Sequence, residues 1–387
     1  MAEAYIIEAV RTPGGRARKG GLIGVHPADL GATVLNALVD RTGIDPAAIE
    51  DVIVGCVTQA GEQAFAFGRN LVLASKLPDS VPAVTIDRQC GSSQQALHFA
   101  AQAIMSGTQD VVIAAGCESM TRVPMMSNFS LHAQAGVGTG PWSKAIQNRY
   151  GVAEFSQFHG AQAIADKYGF SREDMDAYAL ASHAKAAAAI DSGAFAAEIV
   201  GVETPEGRFD TDDGVRRGGT IEAMASVKTL EEGGTITAAN ASQMTDGASG
   251  VLVVSEAALK RFNLTPLARV VTLTVTAGDP VIMLEEPIPA TRKALARAGM
   301  TLDQIDLFEV NEAFAAIPMA WLKALGADPE KLNVNGGAIA LGHPLGASGT
   351  KLMATLIHAL KARGKRYGLQ TMCEGGGIAN VTIVEAL

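Results

Sequence analysis

Two stretches of this chain can be laid over one another, and that limits the folds open to it more than any other feature. In the first, Cys90-Gly91-Ser92-Ser93 opens an Ala-rich segment that leads through an apolar run to Ala115-Gly116-Cys117-Glu118. In the second, His343-Pro344-Leu345-Gly346 opens a similar segment that leads to Thr371-Met372-Cys373-Glu374. Similar intervals separate Cys90 from Cys117 and His343 from Cys373. A turn–helix–strand unit that occurs twice predicts a duplicated α/β fold, with Cys90 and His343 at equivalent helix starts. A pseudo-twofold pairing would bring the two helix N-termini together, where their dipoles favour a thiolate and bound oxyanions.

The local signals agree with this. Asp51 to Gly55 and Asp110 to Gly116 are continuous apolar runs, the pattern of strands buried on both faces. Between them, residues 92–106 carry Ala96, Phe99, Ala100, Ala103 and Ile104 at helical spacing, and Ser106-Gly107 would end the helix. Met1 to Val10 reads as a first strand, Ile305 to Val310 and Leu369 to Cys373 as further strands, and 348–360 as a helix. Residues 120 to about 250 break the alternation. The stretch 120–160 reads as loop, with Pro124, Asn128, Gly136, Gly138, Gly140 and Pro141. A helix is expected over 171–193, behind the capping-box-like start Ser171-Arg172-Glu173-Asp174. The expected organisation is an N-terminal half of 1–119 with 243–264, an inserted loop domain of 120–242, and a C-terminal half of 265–387.

Composition excludes several classes of protein. With 48% apolar and 18% charged residues in 387, the chain can bury a large core and is not disordered. A formal charge of −9 and the lack of any Lys/Arg block argue against nucleic acid or a membrane surface as partner. No apolar run approaches the ~20 residues of a membrane span. The N-terminus has neither the basic region nor the apolar core of a signal peptide, and Val384-Glu385-Ala386-Leu387 is not a peroxisomal address. The four cysteines (Cys56, Cys90, Cys117, Cys373) form no Cys-x-x-Cys pair. Neither a metal site nor a disulfide framework is expected, and reduced thiols point to a cytoplasmic setting.

Chemistry concentrates in the turns. Cys90, followed by Gly-Ser-Ser where a helix begins, is placed to be a nucleophile, although most free cysteines are small buried hydrophobes. His343, between Gly342 and Pro344, is the candidate base, expected to stay neutral and take a proton from Cys90. Cys373 precedes three glycines and reads as a second acid/base thiol, with glycine N–H groups as oxyanion donors. Asn311, in Val310-Asn311-Glu312-Ala313-Phe314, could be an ordinary helix cap or could polarise a carbonyl. Cys56 and Cys117 read as structural. The glycine-rich segments lack the spacing of a dinucleotide-binding loop.

These motifs together resemble the thiolase superfamily over essentially the whole length. They run from Glu8-Ala9-Val10-Arg11-Thr12-Pro13 through the Cys90 box, Asn240-Ala241-Ser242, Asn311-Glu312-Ala313-Phe314-Ala315 and Gly342-His343-Pro344 to the Cys373-x-Gly-Gly-Gly ending. The resemblance implies a five-layered αβαβα thiolase fold and CoA-dependent thiolysis of a 3-oxoacyl-CoA to acetyl-CoA and a shortened acyl-CoA, or the reverse Claisen condensation, by a ping-pong route. It implies coenzyme A as substrate, no permanently bound cofactor, and a homodimer or homotetramer. It also implies residue roles. Cys90 is acylated, His343 activates it, and Cys373 exchanges the proton of acetyl-CoA. His343 and Asn311, through a water, form one oxyanion hole, and the N–H groups of Cys90 and Gly375 form the other. Ser242 contacts pantetheine, Ala313 and Phe314 line its tunnel, and Arg216 lies near the adenine end.

The chain also departs from the family pattern. Glu374 stands where an uncharged residue is usual, and Gly160-Ala161-Gln162 replaces a more usual Thr-Ala-Glu. The box Cys90-Gly-Ser-Ser-Gln, with Ala96-Leu97-His98 after it, leans toward degradative thiolases. Two rivals are a ketosynthase-like condensing enzyme, which would pair two histidines, and a non-catalytic acyl-CoA-binding protein, kept open by Glu374 alone.

Overall fold

The computed structural model describes residues 2–387. The first half runs through β1 (Tyr5–Arg11), the two-residue β2 (Gly15–Arg16), α1 (Pro27–Thr42), β3 (Asp51–Gly55), α2 (Phe67–Ala74), β4 (Ala83–Ile86), α3 (Ser92–Ser106) and β5 (Val111–Glu118). Next come α4 (Ser127–Gln134), α5 (Lys144–Tyr150), α6 (Gln157–Tyr168), α7 (Arg172–Asp191), the hairpin β6 (Val202–Thr204) and β7 (Gly207–Phe209), and α8 (Ile221–Ala225). The chain returns through β8 (Thr245–Val254), α9 (Glu256–Arg261), β9 (Ala268–Ala277), α10 (Pro287–Ala298), β10 (Leu307–Val310) and α11 (Ala316–Leu325). It ends with α12 (Ala338–Leu341), α13 (Ser348–Ala362), β11 (Tyr367–Glu374) and β12 (Ile378–Ala386).

The duplication is visible in the strand order. The first half forms β4-β3-β5-β8-β1, with β4 and β5 parallel to β3 and β8 antiparallel to both β5 and β1. In the second half β10 is parallel to β11, β11 antiparallel to β12, and β12 antiparallel to β9. Leu332 bridges Phe308 in parallel, where β4 stands in the first half. The halves touch edge to edge where Tyr5 and Ile6 of β1 pair with Arg269 and Ala268 of β9.

Burial sets the layers. Helices α3 and α13 lie between the two halves, and their apolar residues (Leu97, Ile104, Met353, Leu356, Leu360) pack on Val112 and Val251 of one sheet and Leu307 and Val384 of the other. On the outer faces, Leu35 and Leu71 of α1 and α2 cover Val52 and Ile113, while Ile288 and Trp321 of α10 and α11 cover Phe308 and Val381. Five layers result, αβαβα, with α3 and α13 as the central one. Strands β5 and β8 are buried along their whole length, which is why their sequences show no alternation.

The two inner helices approach unusually closely at their N-termini. A Cβ on Gly349 would stand 2.0 Å from Gln94 N, and one on Gly116 would stand 2.2 Å from the Gly346 carbonyl oxygen. Ser93 Oγ accepts a hydrogen bond from Thr350 N at 3.0 Å across the same contact. Small residues therefore bring the Cys90 turn and the His343 turn to one place.

Two sequence expectations need correction. Residues 120–160 are not all loop, since they hold α4, α5 and the start of α6. Ser143 and Ser156 cap α5 and α6 by accepting from Ile146 N and His159 N, and the rings of Phe129, Trp142 and Phe155 meet edge to face. These helices are short and packed by aromatics, so they carry little helical periodicity. The helix starts are also not equivalent to the residue. Gly91 is the N-cap of α3, but Pro344 and a 3₁₀ turn over Leu345–Ala347 separate His343 from α13. The helix over 171–193 appears as α7, with the reciprocal Ser171–Asp174 capping box.

Candidate active site

Cys90 sits on a turn fixed by its neighbours. Asp87 Oδ1 accepts from Gln89 N at 2.7 Å, Ser92 Oγ accepts from Arg88 N at 2.9 Å, and the Ser92 hydroxyl donates to the Gln89 carbonyl at 2.6 Å. Gln89 is held at φ 49°, a left-handed conformation that costs a non-glycine residue about 1–3 kcal/mol. Half-buried Cys90 packs on the cluster of Val57, Met120 and Leu345, as does Met125. Cys373 ends β11, opposite Ala379 of β12, and is fully buried.

The two thiols are neighbours and both are protonated at rest. Burial pushes Cys90 well above the ordinary thiol range, and Cys373 and Glu374 add to it whenever they are ionised. Burial and then Glu374 push Cys373 up to about 12. The expectation that helix dipoles yield a resting thiolate is therefore corrected. A helix end contributes about 0.3–1 kcal/mol, less than one pKa unit, whereas burial moves a group by several units.

His343 is neutral and held in one orientation. Burial, then the nearby Lys351 charge, lowers it to about 3, so the ring is neutral at working pH. Ser348 Oγ donates its only proton to the Pro344 carbonyl at 2.9 Å, so at 2.5 Å it must accept from His343 Nδ1–H. This assigns the tautomer and leaves Nε2 unprotonated, as an acceptor. Asn311 Nδ2 approaches Nε2 at 3.4 Å, and Asn311 Oδ1 is buried with no partner. The backbone around His343 is clamped. Lys351 Nζ donates to the carbonyls of Leu341 and Gly342 at 2.6 and 2.7 Å, and His343 N donates to Gln243 O at 3.0 Å. Gly342 has φ 79°, and a Cβ there would lie 2.0 Å from Thr245 Oγ1.

Gly375 borders the Cys90 turn, since a Cβ on it would stand 2.9 Å from Gln89 Oε1. Cys90, Cys373, His343, Asn311 and Gly375 thus share one locus. Ser242, Ala313 and Phe314 are joined to it: Ser242 N donates to Ala313 O at 2.9 Å, Ala241 bridges Phe314, and the next residue, Gln243, holds His343. Ala313 and Phe314 are themselves buried, and Phe158 meets the Phe314 ring edge-on at 5.9 Å. Arg216 stands apart, in a cleft of about 500 Å³ between α7 and residues 216–219. Cys117 donates to the Pro27 carbonyl and Cys56 lies against Glu118, both buried away from this chemistry.

The sequence reading assigned nothing to Ser348, Lys351 or Glu118. Glu118 accepts from Val57 N, Thr58 N, Gln63 Nε2 and Gly346 N at 2.8–3.0 Å, and so ties the two halves together beside Cys56. Its only sequence signal was its place after Cys117, equivalent to Glu374 after Cys373.

A family model described as the thiolase N-terminal domain matches residues 4–257, and one described as the thiolase C-terminal domain matches 264–386. The chain belongs to the thiolase family. It is 54% identical to a steroid 3-ketoacyl-CoA thiolase of Mycobacterium tuberculosis, over all of this chain and 95% of that protein. It is 41% identical to a 3-ketoacyl-CoA thiolase of Bacillus subtilis over the full length of both. It is also 41% identical to an acetyl-CoA acetyltransferase of Pseudomonas aeruginosa, over 97% of this chain and 98% of that one. The thiolase reaction, CoA-dependent cleavage of a 3-oxoacyl-CoA and its reverse, is the chemistry of this enzyme. No described helix is long and apolar enough to cross a membrane.

The tautomer argument has a direct test. Ser348→Ala removes the acceptor of Nδ1–H and should lower kcat roughly 10- to 100-fold with the KM for CoA little changed, because only proton transfer is disturbed. Steady-state thiolysis kinetics measure it. A matching rise in KM would mean that the loop had moved instead.

Proposed function

We propose that this thiolase degrades 3-oxoacyl-CoA substrates larger than acetoacetyl-CoA, with Cys90, His343 and Cys373 carrying the chemistry. His343 Nε2 takes the Cys90 proton, and the thiolate attacks C3 of the 3-oxoacyl-CoA. The C2–C3 bond breaks, and the acetyl-CoA enolate takes its proton from Cys373. The Cys373 thiolate then deprotonates an incoming CoA, whose sulfur attacks the acyl-enzyme. Cys90 leaves and regains its proton from His343. Asn311 and His343 face the enolate oxygen, and the N–H groups of Cys90 and Gly375 face the acyl oxygen.

The observation that carries the reading is the His343 arrangement, in which Nδ1 donates to Ser348 and the unprotonated Nε2 accepts from Asn311 Nδ2. The wall of Met120, Met125, Val57 and Leu345 against Cys90 supports a bulky apolar acyl group, since methionines adapt to irregular shapes. The steroid substrate in the name of the mycobacterial relative favours the same class. Ser242, Ala313 and Phe314 would guide pantetheine, with Arg216 toward the adenine end and residues 120–242 as the layer that receives CoA. The test is thiolysis of acetoacetyl-CoA, a long-chain 3-oxoacyl-CoA and a ring-bearing one. Preference for acetoacetyl-CoA would defeat the substrate assignment.

We also propose a homodimer through β4. This strand ends the sheet order and pairs only with β3, and Val84 and the 91% exposed Phe65 beside it are apolar. An open, apolar-flanked edge is a hazard that a second copy would cover by antiparallel pairing across a twofold axis. Light scattering should give at least twice the 40.0 kDa chain mass, and a monomer mass would refute the proposal. The free thiols the mechanism needs support a reducing, cytoplasmic setting.

A further inference from the structure

One ionisable group in the site has no part in the scheme above. Glu374 follows Cys373 at the end of β11, is fully buried, and has no hydrogen-bond partner at either carboxyl oxygen. It does not point away from the thiols. A Cβ built on Gly91 would stand 1.9 Å from Glu374 Oε1, so the carboxyl fills the space that glycine leaves open beside Cys90.

Its surroundings offer little to hold a charge. Cys90 and Cys373 are the neighbouring thiols, and Asp87 on the Cys90 turn is acidic. The Arg88 guanidinium and the backbone N–H of Asn380 on β12 favour ionisation, but neither meets an oxygen in a hydrogen bond. On α3, His98 is held neutral by burial and Arg88, and Gln95 Oε1 takes the Asn380 side-chain amide at 3.2 Å. A buried carboxyl with no partner takes up a proton rather than stay charged, and burial here raises Glu374 accordingly.

We propose that Glu374 works as a neutral carboxylic acid wedged under the nucleophile turn, and that its ionisation at alkaline pH shuts Cys90 down. It is a positioning residue. In the neutral state it fills the site beside Gly91 without repelling either thiolate. Once it loses its proton to solvent, its charge opposes both. The proposal rests on the reading of Cys90 as nucleophile. A new negative charge at this range raises a thiol by about two units, roughly a hundredfold loss of thiolate.

Glu374→Gln keeps the size and removes the ionisation. At alkaline pH its Cys90 should react with iodoacetamide roughly a hundredfold faster than the wild-type thiol. Its kcat/KM for thiolysis should also lack the alkaline fall expected of wild type. An infrared difference spectrum between wild type and variant at neutral pH should show the C=O stretch of a protonated carboxyl, with Glu374→Met as the blank if the glutamine variant does not fold. A carboxylate band at neutral pH, or alkylation profiles that superimpose, would overturn the proposal. The infrared and alkylation measurements need no turnover. Loss of thiolysis on every substrate would defeat the functional reading while leaving these two to decide the role of Glu374.

Discussion

Cys90→Ala is expected to abolish thiolysis, lowering kcat/KM by about 10⁴-fold or more while CoA still binds. The size follows from the site's electrostatics. At rest both thiols are protonated and His343 is neutral, so no ion pair exists that a substitute nucleophile could inherit. Water in place of the thiol is a far weaker acid and a poorer nucleophile, and the neutral ring would not activate it. Cys373→Ala should fail differently. Its Cys90 should still be acylated by an acyl-CoA, because His343 remains, but enolate protonation and CoA activation are lost. Radiolabelled acyl-CoA followed by gel analysis separates the two, with label on Cys373→Ala and none on Cys90→Ala. Continued turnover by Cys373→Ala would favour a condensing enzyme that does not use this thiol. The low value for His343 also fixes the sign of its pH dependence. The ring is competent as a base at every pH above about 3, so an acidic limb near pH 6 must come from another group.

The sequence revealed the duplicated halves because a buried strand and an Ala-rich helix leave marks that need no partner. The apolar run of β5 and the spacing of α3 belong to single segments, and both lie where they were read. Cys90, His343 and Cys373 could be proposed because each stands in a turn of small residues, and Asn311 because it heads the motif Asn311-Glu312-Ala313-Phe314-Ala315. Ser348 was not, because a serine at a helix start is ordinary until its proton is seen committed to the Pro344 carbonyl. Lys351 was hidden by its place on a helix face, where a lysine normally reaches solvent; only the tertiary fold turns it inward onto Leu341 and Gly342. Glu374 stood out as a departure, but its protonation state depends on Gly91, far away in the chain. The helices of 120–160 were missed because local caps and aromatic contacts hold them.

Gly349→Ala is expected to destabilise the protein by several kcal/mol and to lower activity with it, although the substitution improves helix propensity. Gly349 lies in the first turn of α13, so alanine there should gain about 1 kcal/mol if only the helix mattered. Packing opposes this. The new methyl would lie 2.0 Å from Gln94 N and 2.7 Å from Gln94 Cα, backbone atoms of α3 that cannot rotate away. The helices must separate by an ångström or more, and overpacking of a rigid core costs about 1–3 kcal/mol and sometimes more. Separation also lengthens the Thr350 N to Ser93 Oγ bond and the Gln370 Nε2 bond to the Gly349 carbonyl, both in fully buried surroundings. Because α3 carries the Cys90 turn and α13 carries Ser348 and Lys351, the same movement draws the base away from the nucleophile. Denaturant unfolding and thiolysis on the same variant measure both effects. Lys361→Ala, at the exposed end of α13, serves as the control and should change stability by less than about 0.5 kcal/mol. A Gly349→Ala protein as stable as wild type would show that propensity outweighs the crossing, and that the close approach of α3 and α13 is not what sets the distance between Cys90 and His343.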